Sequence, residues 1–149
     1  RLALGTDGID GDMFAESRSA FWRAREADPA AGPGWVLAAV AGSARFAGAC
    51  FDEPLLGRIE AGAPADLVVL DYDPPTPLGA ENLGGHWVFG FTSRLVRDVL
   101  VAGEVVVRDR TLTRADAHEI RSLAREQAAL LWERIERTPA HPFEPEGGG

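Results

Sequence analysis

Asp7 ends a short apolar run, Leu2-Ala3-Leu4, in the turn Gly5-Thr6-Asp7-Gly8, and a helical pattern begins a few residues later. A buried strand that delivers a carboxylate at its C-terminal tip, just ahead of a helix, is a common way for α/β enzymes to present a catalytic group. The same residue also suits a plain turn or a helix N-cap, because Asp favours both. Asp7, Asp10 and Asp12 together raise the question of a calcium loop. Their spacing misses the alternate positions of an EF-hand and lacks its Gly and Glu landmarks, so helix capping accounts better for Asp10 and Asp12. His86, His118 and His141 have no ligand spacing. His86, among Gly and aromatic residues, reads as a packed histidine with one ring nitrogen satisfied by backbone. Cys50, between Ala49 and Phe51, reads as a small buried hydrophobe.

These residues need elements to hold them. Met13, Phe14, Ser17, Ala20, Phe21, Ala24 and Ala27 form one face of an amphipathic helix, with acids at its start and Asp28-Pro29 at its stop. A second helix is expected from about Trp35 to Ala49. Its Ala, Val, Leu and Gly content predicts burial by close packing, with Gly42 as a weak point. Glu53–Gly62 reads as turn, short strand and turn. Leu67–Leu70 is a continuous apolar β run, the pattern of a strand covered on both faces. Asp73–Pro77 is an extended loop, and His86–Phe89 a brief strand or turn. Val96–Asp109 predicts a hairpin turning at Ala102-Gly103, with only Gly103 left-handed and a bulge nearby. The last helix runs from about Thr113–Asp116 to Arg137. Asp116 and Glu119 could form a capping box, Ile120, Leu123, Ala124, Ala128, Leu131 and Ile135 an apolar stripe, and Glu133 and Arg137 an i,i+4 pair. The four tryptophans, Trp22, Trp35, Trp87 and Trp132, read as packing.

Composition limits the function classes. The 149 residues could bury one core, and 46% hydrophobic with 26% charged residues reads as globular. All 15 basic residues are Arg. The net charge of −8 argues against a nucleic-acid or anionic-membrane partner. No apolar run approaches the length expected of a membrane span, and no signal peptide shows at the front. A lone cysteine excludes an intrachain disulfide and fits a reducing cytoplasm. The chain opens on Arg1 and reads as a fragment.

Four stretches in order carry a likeness. They are Leu4–Gly8 with Asp12-Met13, Gly57–Asp71, Asn82–Gly90 around Gly-His-Trp-Val-Phe-Gly, and Val99–Val107. Together, over residues 2 to about 137, the chain resembles the C-terminal third of the amidohydrolase superfamily. The likeness is closest to its cytosine-deaminase and chlorohydrolase-like branch and, within that, to SsnA-type aminohydrolases. The resemblance implies an α/β fold: the end of a (β/α)8 TIM barrel, part of a composite β-sandwich and a C-terminal helix. Residues 1–53 would be strand 8 and the helices that close the barrel, 54–137 the sandwich share with its helix, and 138–149 a disordered tail.

The resemblance also implies a role for Asp7 as ligand of one divalent metal ion, zinc first and iron second, and as proton shuttle. The remaining ligands, a His-x-His pair and two single histidines, would lie upstream of Arg1, so this chain alone should hold no catalytic metal and turn over no substrate. The implied reaction is deamination of an amino-substituted nitrogen heterocycle, a small-molecule substrate. Dechlorination and cyclic-amide hydrolysis stay open, as does a homo-oligomer of the full-length enzyme. The reading from another class makes residues 54–137 a non-catalytic β-rich scaffold or interaction module. A broken barrel should leave the apolar flanks of Leu2–Leu4 and Trp35–Ala49 uncovered.

Overall fold

The computed structural model describes residues 2–8 and 10–139. It divides into two compact units, Arg1–Thr113 and Arg114–Gly149. The first begins with helix α1, Met13–Ala27, whose entry is set by Asp12. The Asp12 carboxylate accepts the amides of Phe14 at 2.9 Å and Ala15 at 3.0 Å, filling two of the donors that a helix start leaves open. α1 turns Ser17 and Phe21 inward, as its spacing predicts. Helix α2, Gly34–Phe51, follows the Gly-Pro break. Phe21 of α1, Val36 of α2 and Val88 form the core, with Leu4, Trp35, Val40 and Trp87 packed against it.

α2 departs from its expected setting. Among its residues only Val36, Ala39 and Gly48 are buried, and Phe46 and Phe51 are 69% and 77% exposed. By length and composition it is apolar enough to cross a membrane, contrary to the expectation that no run approached a span. Cys50, on its last turn, is exposed rather than buried, because the core of Phe21, Val36 and Val88 packs against the first turns of the helix. Gly42 is a seat rather than a weak point: a Cβ there would collide with the carbonyl oxygen of Leu2.

The sheet is an antiparallel meander, β1-β2-β3-β4, made of Leu67–Leu70, Val96–Val101, Glu104–Arg108 and Thr111–Leu112. β1 is an edge strand with Val68 55% exposed, so it is not covered on both faces. The β2–β3 register shifts at Val99/Leu100, the expected bulge. Both turn residues are left-handed, Ala102 at φ 49° and Gly103 at φ 81°. Anchors from outside the hairpin hold Ala102 there: its amide donates to Asp66 Oδ1 at 2.7 Å, and that of Gly103 to the Ala65 carbonyl at 3.1 Å. Beyond the sheet face, Arg97 and Arg110 both grip Asp71, at 3.1 and 2.8 Å.

Two strand expectations fail for lack of ladder partners. Residues 53–62 form turns with no strand, and Ile59 is 91% exposed. His86–Phe89 is helical: α3, Leu83–Gly85, continues as a π-helix over His86–Gly90, closed by Phe91 N–H to His86 C=O at 2.8 Å. Arg18 of α1 steadies it, donating from Nε to the Val88 carbonyl and from Nη2 to the Phe91 carbonyl, both at 3.0 Å. A side chain at Gly90 would occupy the place of the Tyr72 ring.

The second unit holds helix α4, Ala117–Glu136. Asp116 accepts from His118 and Glu119 amides, at 2.7 and 3.4 Å, the N-cap half of the expected box. Glu133 and Arg137 pair at 3.1 Å. The apolar stripe is present in sequence but unburied: Ile120, Leu123, Leu131 and Ile135 are each about half exposed. Within the tail expected over 138–149, residues 140–149, His141 among them, lie outside the described residues.

Candidate active site

Asp7 sits where the chain leaves the Leu2–Thr6 segment. Its backbone is left-handed, φ 52°, a conformation Asp tolerates better than most residues, and its Oδ1 accepts the Gly8 amide at 2.7 Å. The residue is exposed. Leu2–Leu4 is not a strand among the described residues, because no neighbouring strand is present to pair with it. In place of a ladder, Leu4 is held by a side chain of α2. Its N–H donates to Ser43 Oγ at 2.8 Å, and the Ser43 hydroxyl faces the Leu4 carbonyl at 2.7 Å and its own helix's Ala39 carbonyl at 3.3 Å. Ser43 also lines a cavity of about 560 Å³ beneath the sheet, walled by Leu4, Val40, Val68, Leu70 and Trp87.

The other acids near Asp7 have local tasks. Asp10 Oδ1 accepts the Gly11 amide at 2.6 Å. Asp12, besides capping α1, accepts from Ser93 Oγ at 2.6 Å, joining the helix start to the turn before β2. The Ser93 hydroxyl first, then the Ala15 and Phe14 amides, hold the Asp12 carboxyl below its ordinary value of 3.8, against an opposing effect of burial. Capping thus accounts for Asp12, as the sequence predicts.

His86 is buried, with both ring nitrogens facing hydroxyls rather than backbone: Tyr72 Oη at 2.6 Å from Nδ1 and Thr76 Oγ1 at 3.2 Å from Nε2. It is a structural histidine. His118 follows the N-cap of α4 in the second unit. A divalent metal needs three or four protein donors. Among the described residues no three His, Cys, Asp or Glu side chains converge to supply them. An exposed carboxylate is a suitable donor, so among the described residues Asp7 fits such an ion as one ligand. Sequence reasoning missed Ser43 and Arg18. A lone hydroxyl in an apolar helix, and a cation beside a buried stripe, were the available signals.

No family model matches the chain. It is 40% identical over 141 residues to a 5-methylthioadenosine/S-adenosylhomocysteine deaminase of Haloarcula marismortui, covering 89% of this chain and 32% of that protein. A protein of the same name from Natronomonas pharaonis is 37% identical over 143 residues, 91% of this chain and 32% of the relative. A 5'-deoxyadenosine deaminase of Methanopyrus kandleri is 33% identical over 136 residues, 87% of this chain and 31% of the relative. The chain spans about a third of the length of the curated relatives it matches. Among solved structures, an adenosine deaminase from Xanthomonas campestris with bound zinc superposes with a TM-score of 0.66 at 27% identity, over 85% of this chain and 28% of that one. An atrazine chlorohydrolase from Arthrobacter aurescens shares the fold, with a TM-score of 0.57 at 24% identity over 77% of this chain and 25% of that one. The mixed helix and antiparallel sheet described above is the arrangement these structures share with it.

Proposed function

Because the chain belongs to the amidohydrolase superfamily, we propose that it supplies Asp7 to the active site of a metal-dependent aminohydrolase. Leu2–Gly5 then serves as the last strand of a TIM barrel, residues 12–49 as the closing helices, and 54–137 as a share of the β-sandwich with its terminal helix. The observation that carries the reading is the placement of Asp7: exposed, at the tip of a segment anchored to α2, five positions ahead of the α1 cap Asp12. The substrate class is an amino-substituted nitrogen heterocycle, and the relatives' names narrow it to the adenine ring of an adenosine-type nucleoside. Those names also favour an amine over chloride or a ring amide as the group displaced.

Asp7 would hold the metal through its carboxylate, with the other ligands coming from residues outside this chain. The bound zinc of the adenosine deaminase neighbour supports zinc before iron. Such an ion supplies a more acidic water near neutral pH. The hydrolysis forms a C–O bond from water to the sp² ring carbon, breaks the C–N bond and releases ammonia. The Asp7 carboxylate would accept a proton from the attacking water and return it to the departing nitrogen, the role of a general base and then a general acid.

Asp7→Asn in the full-length enzyme tests this. It should abolish hydrolysis while the circular dichroism spectrum and melting profile stay those of the wild type. An unchanged rate would remove Asp7 from the mechanism. An upstream reading frame without a His-x-His and two further histidines would remove the metal site itself.

A further inference from the structure

We propose that Ser93 is a positioning residue for Asp7, acting through the carboxylate of Asp12. The two oxygens of that carboxylate have separate tasks. Oδ1 accepts the Phe14 and Ala15 amides and caps α1. Oδ2 accepts the Ser93 hydroxyl at 2.6 Å, across 81 positions of sequence. Ser93 opens the single 3-10 turn, Ser93–Leu95, that leads into β2, a strand paired on one side with β1 and on the other with β3. Such inner strands are among the last parts of a fold to open, so Oδ2 pins the start of α1 to a fixed point of the sheet. Farther along the same helix, Arg18 clasps the Val88 and Phe91 carbonyls. That second hold keeps α1 from sliding or turning about the pin.

Asp7 lies five positions ahead of Asp12, and the acids of that turn hold only their neighbours. Asp7 and Asp10 each accept the amide of the next residue through Oδ1. The Asp7 backbone is left-handed, φ 52°. A residue other than glycine keeps such a conformation only where its surroundings hold it there. Release of the downstream flank lets Asp7 return to an ordinary φ, and that rotation swings its carboxylate away from the ion. No backbone group of Leu2–Gly5 takes part in the Ser93–Asp12 bond. Pairing of that segment as a barrel strand is therefore compatible with it.

The inference rests on the reading of Asp7 as a metal ligand. The test compares Ser93→Ala, Ser93→Thr, Asp12→Ser and Asp7→Asn in the full-length zinc enzyme. Zinc loss to a chelator is followed by metal analysis, alongside kcat and KM. Ser93→Ala removes the partner of Oδ2 and leaves the cap. Asp12→Ser keeps a good N-cap residue but has no second oxygen for Ser93. Each should release zinc about 10-fold faster and lower kcat by a similar factor, with KM within about 2-fold. The double variant should be no worse than either alone. Ser93→Thr keeps the hydroxyl on an exposed side chain and should behave as wild type. Wild-type zinc release and kcat in Ser93→Ala would overturn the proposal. So would an equal loss in Ser93→Thr, or a double variant whose loss is the product of the two single losses. An Asp7→Asn enzyme that still hydrolyses substrate and retains zinc overturns the underlying reading instead. Loss in Asp7→Asn beside a normal Ser93→Ala removes only the positioning role.

Discussion

Replacing Asp12 by Ala removes two ties at once, and the structure fixes what each is worth. The carboxylate caps α1 through the Phe14 and Ala15 amides, a contribution of about 1 kcal/mol. It also accepts the Ser93 hydroxyl at 2.6 Å across 81 residues of sequence. Asp12 is only half-buried, so that charge-assisted bond is worth about 1 kcal/mol, below the usual range for charged groups. Asp12→Ala should thus cost about 2 kcal/mol and Ser93→Ala about 1 kcal/mol, with the double mutant little worse than Asp12→Ala. The pH dependence has a fixed sign. The Asp12 carboxyl lies below its ordinary 3.8 in the folded chain. Its contribution is therefore fully present above that unfolded value and is lost as pH falls through the lower, folded one. Urea unfolding followed by tryptophan fluorescence should show a gap between wild type and Asp12→Ala that is flat from about pH 8 to pH 5 and narrows below about pH 4. A gap under about 0.5 kcal/mol at pH 7 would refute the reasoning, as would a gap that widens on acidification.

Arg18→Ala should destabilise by about 2–3 kcal/mol, since it strips two carbonyls of a guanidinium donor. Arg18→Lys should recover only part, because one ammonium cannot match the planar fork; full recovery in the same urea assay would count against the geometry. Ala102→Gly should raise stability by about 0.5 kcal/mol, the relief of a left-handed alanine less the added freedom of the unfolded chain. The Asp66 anchor binds the amide of residue 102 and survives the change, so a fall in the urea midpoint would show that the added freedom of the unfolded chain outweighs the relief at this φ.

The parts legible in the sequence were those whose causes lie within a turn or two of chain. α1 announced itself by its acid, its stripe and its Asp-Pro stop, and α4 by Asp116 and the Glu133–Arg137 pair. Asp7 was legible for the same reason, as a carboxylate at a turn ahead of a helix. What escaped depends on partners far along the chain. The Gly-rich 83–90 stretch becomes helical with its Val88 carbonyl, and that of Phe91 just beyond it, held by Arg18. Gly42 looked like a flaw until the Leu2 carbonyl was found against it. Leu2–Leu4 carries a strand's composition, yet composition cannot make a strand without a neighbour to bond. Ala102 gave no sign of a left-handed backbone because its anchor, Asp66, lies 36 residues earlier.

The span between Arg18 and the carbonyl of Val88, 70 residues, is also an interval of time. At about 5–20 residues per second, a ribosome makes α1 roughly 4–14 s before the segment that Arg18 clasps. For those seconds Phe14 and Phe21 have no π-helix or Trp87 to cover them, while the β2–β3 hairpin, once made, can close within microseconds. The apolar face of α1 is thus uncovered for that interval of synthesis, a surface open to a chaperone. Slow codons placed between the two partners would lengthen that interval.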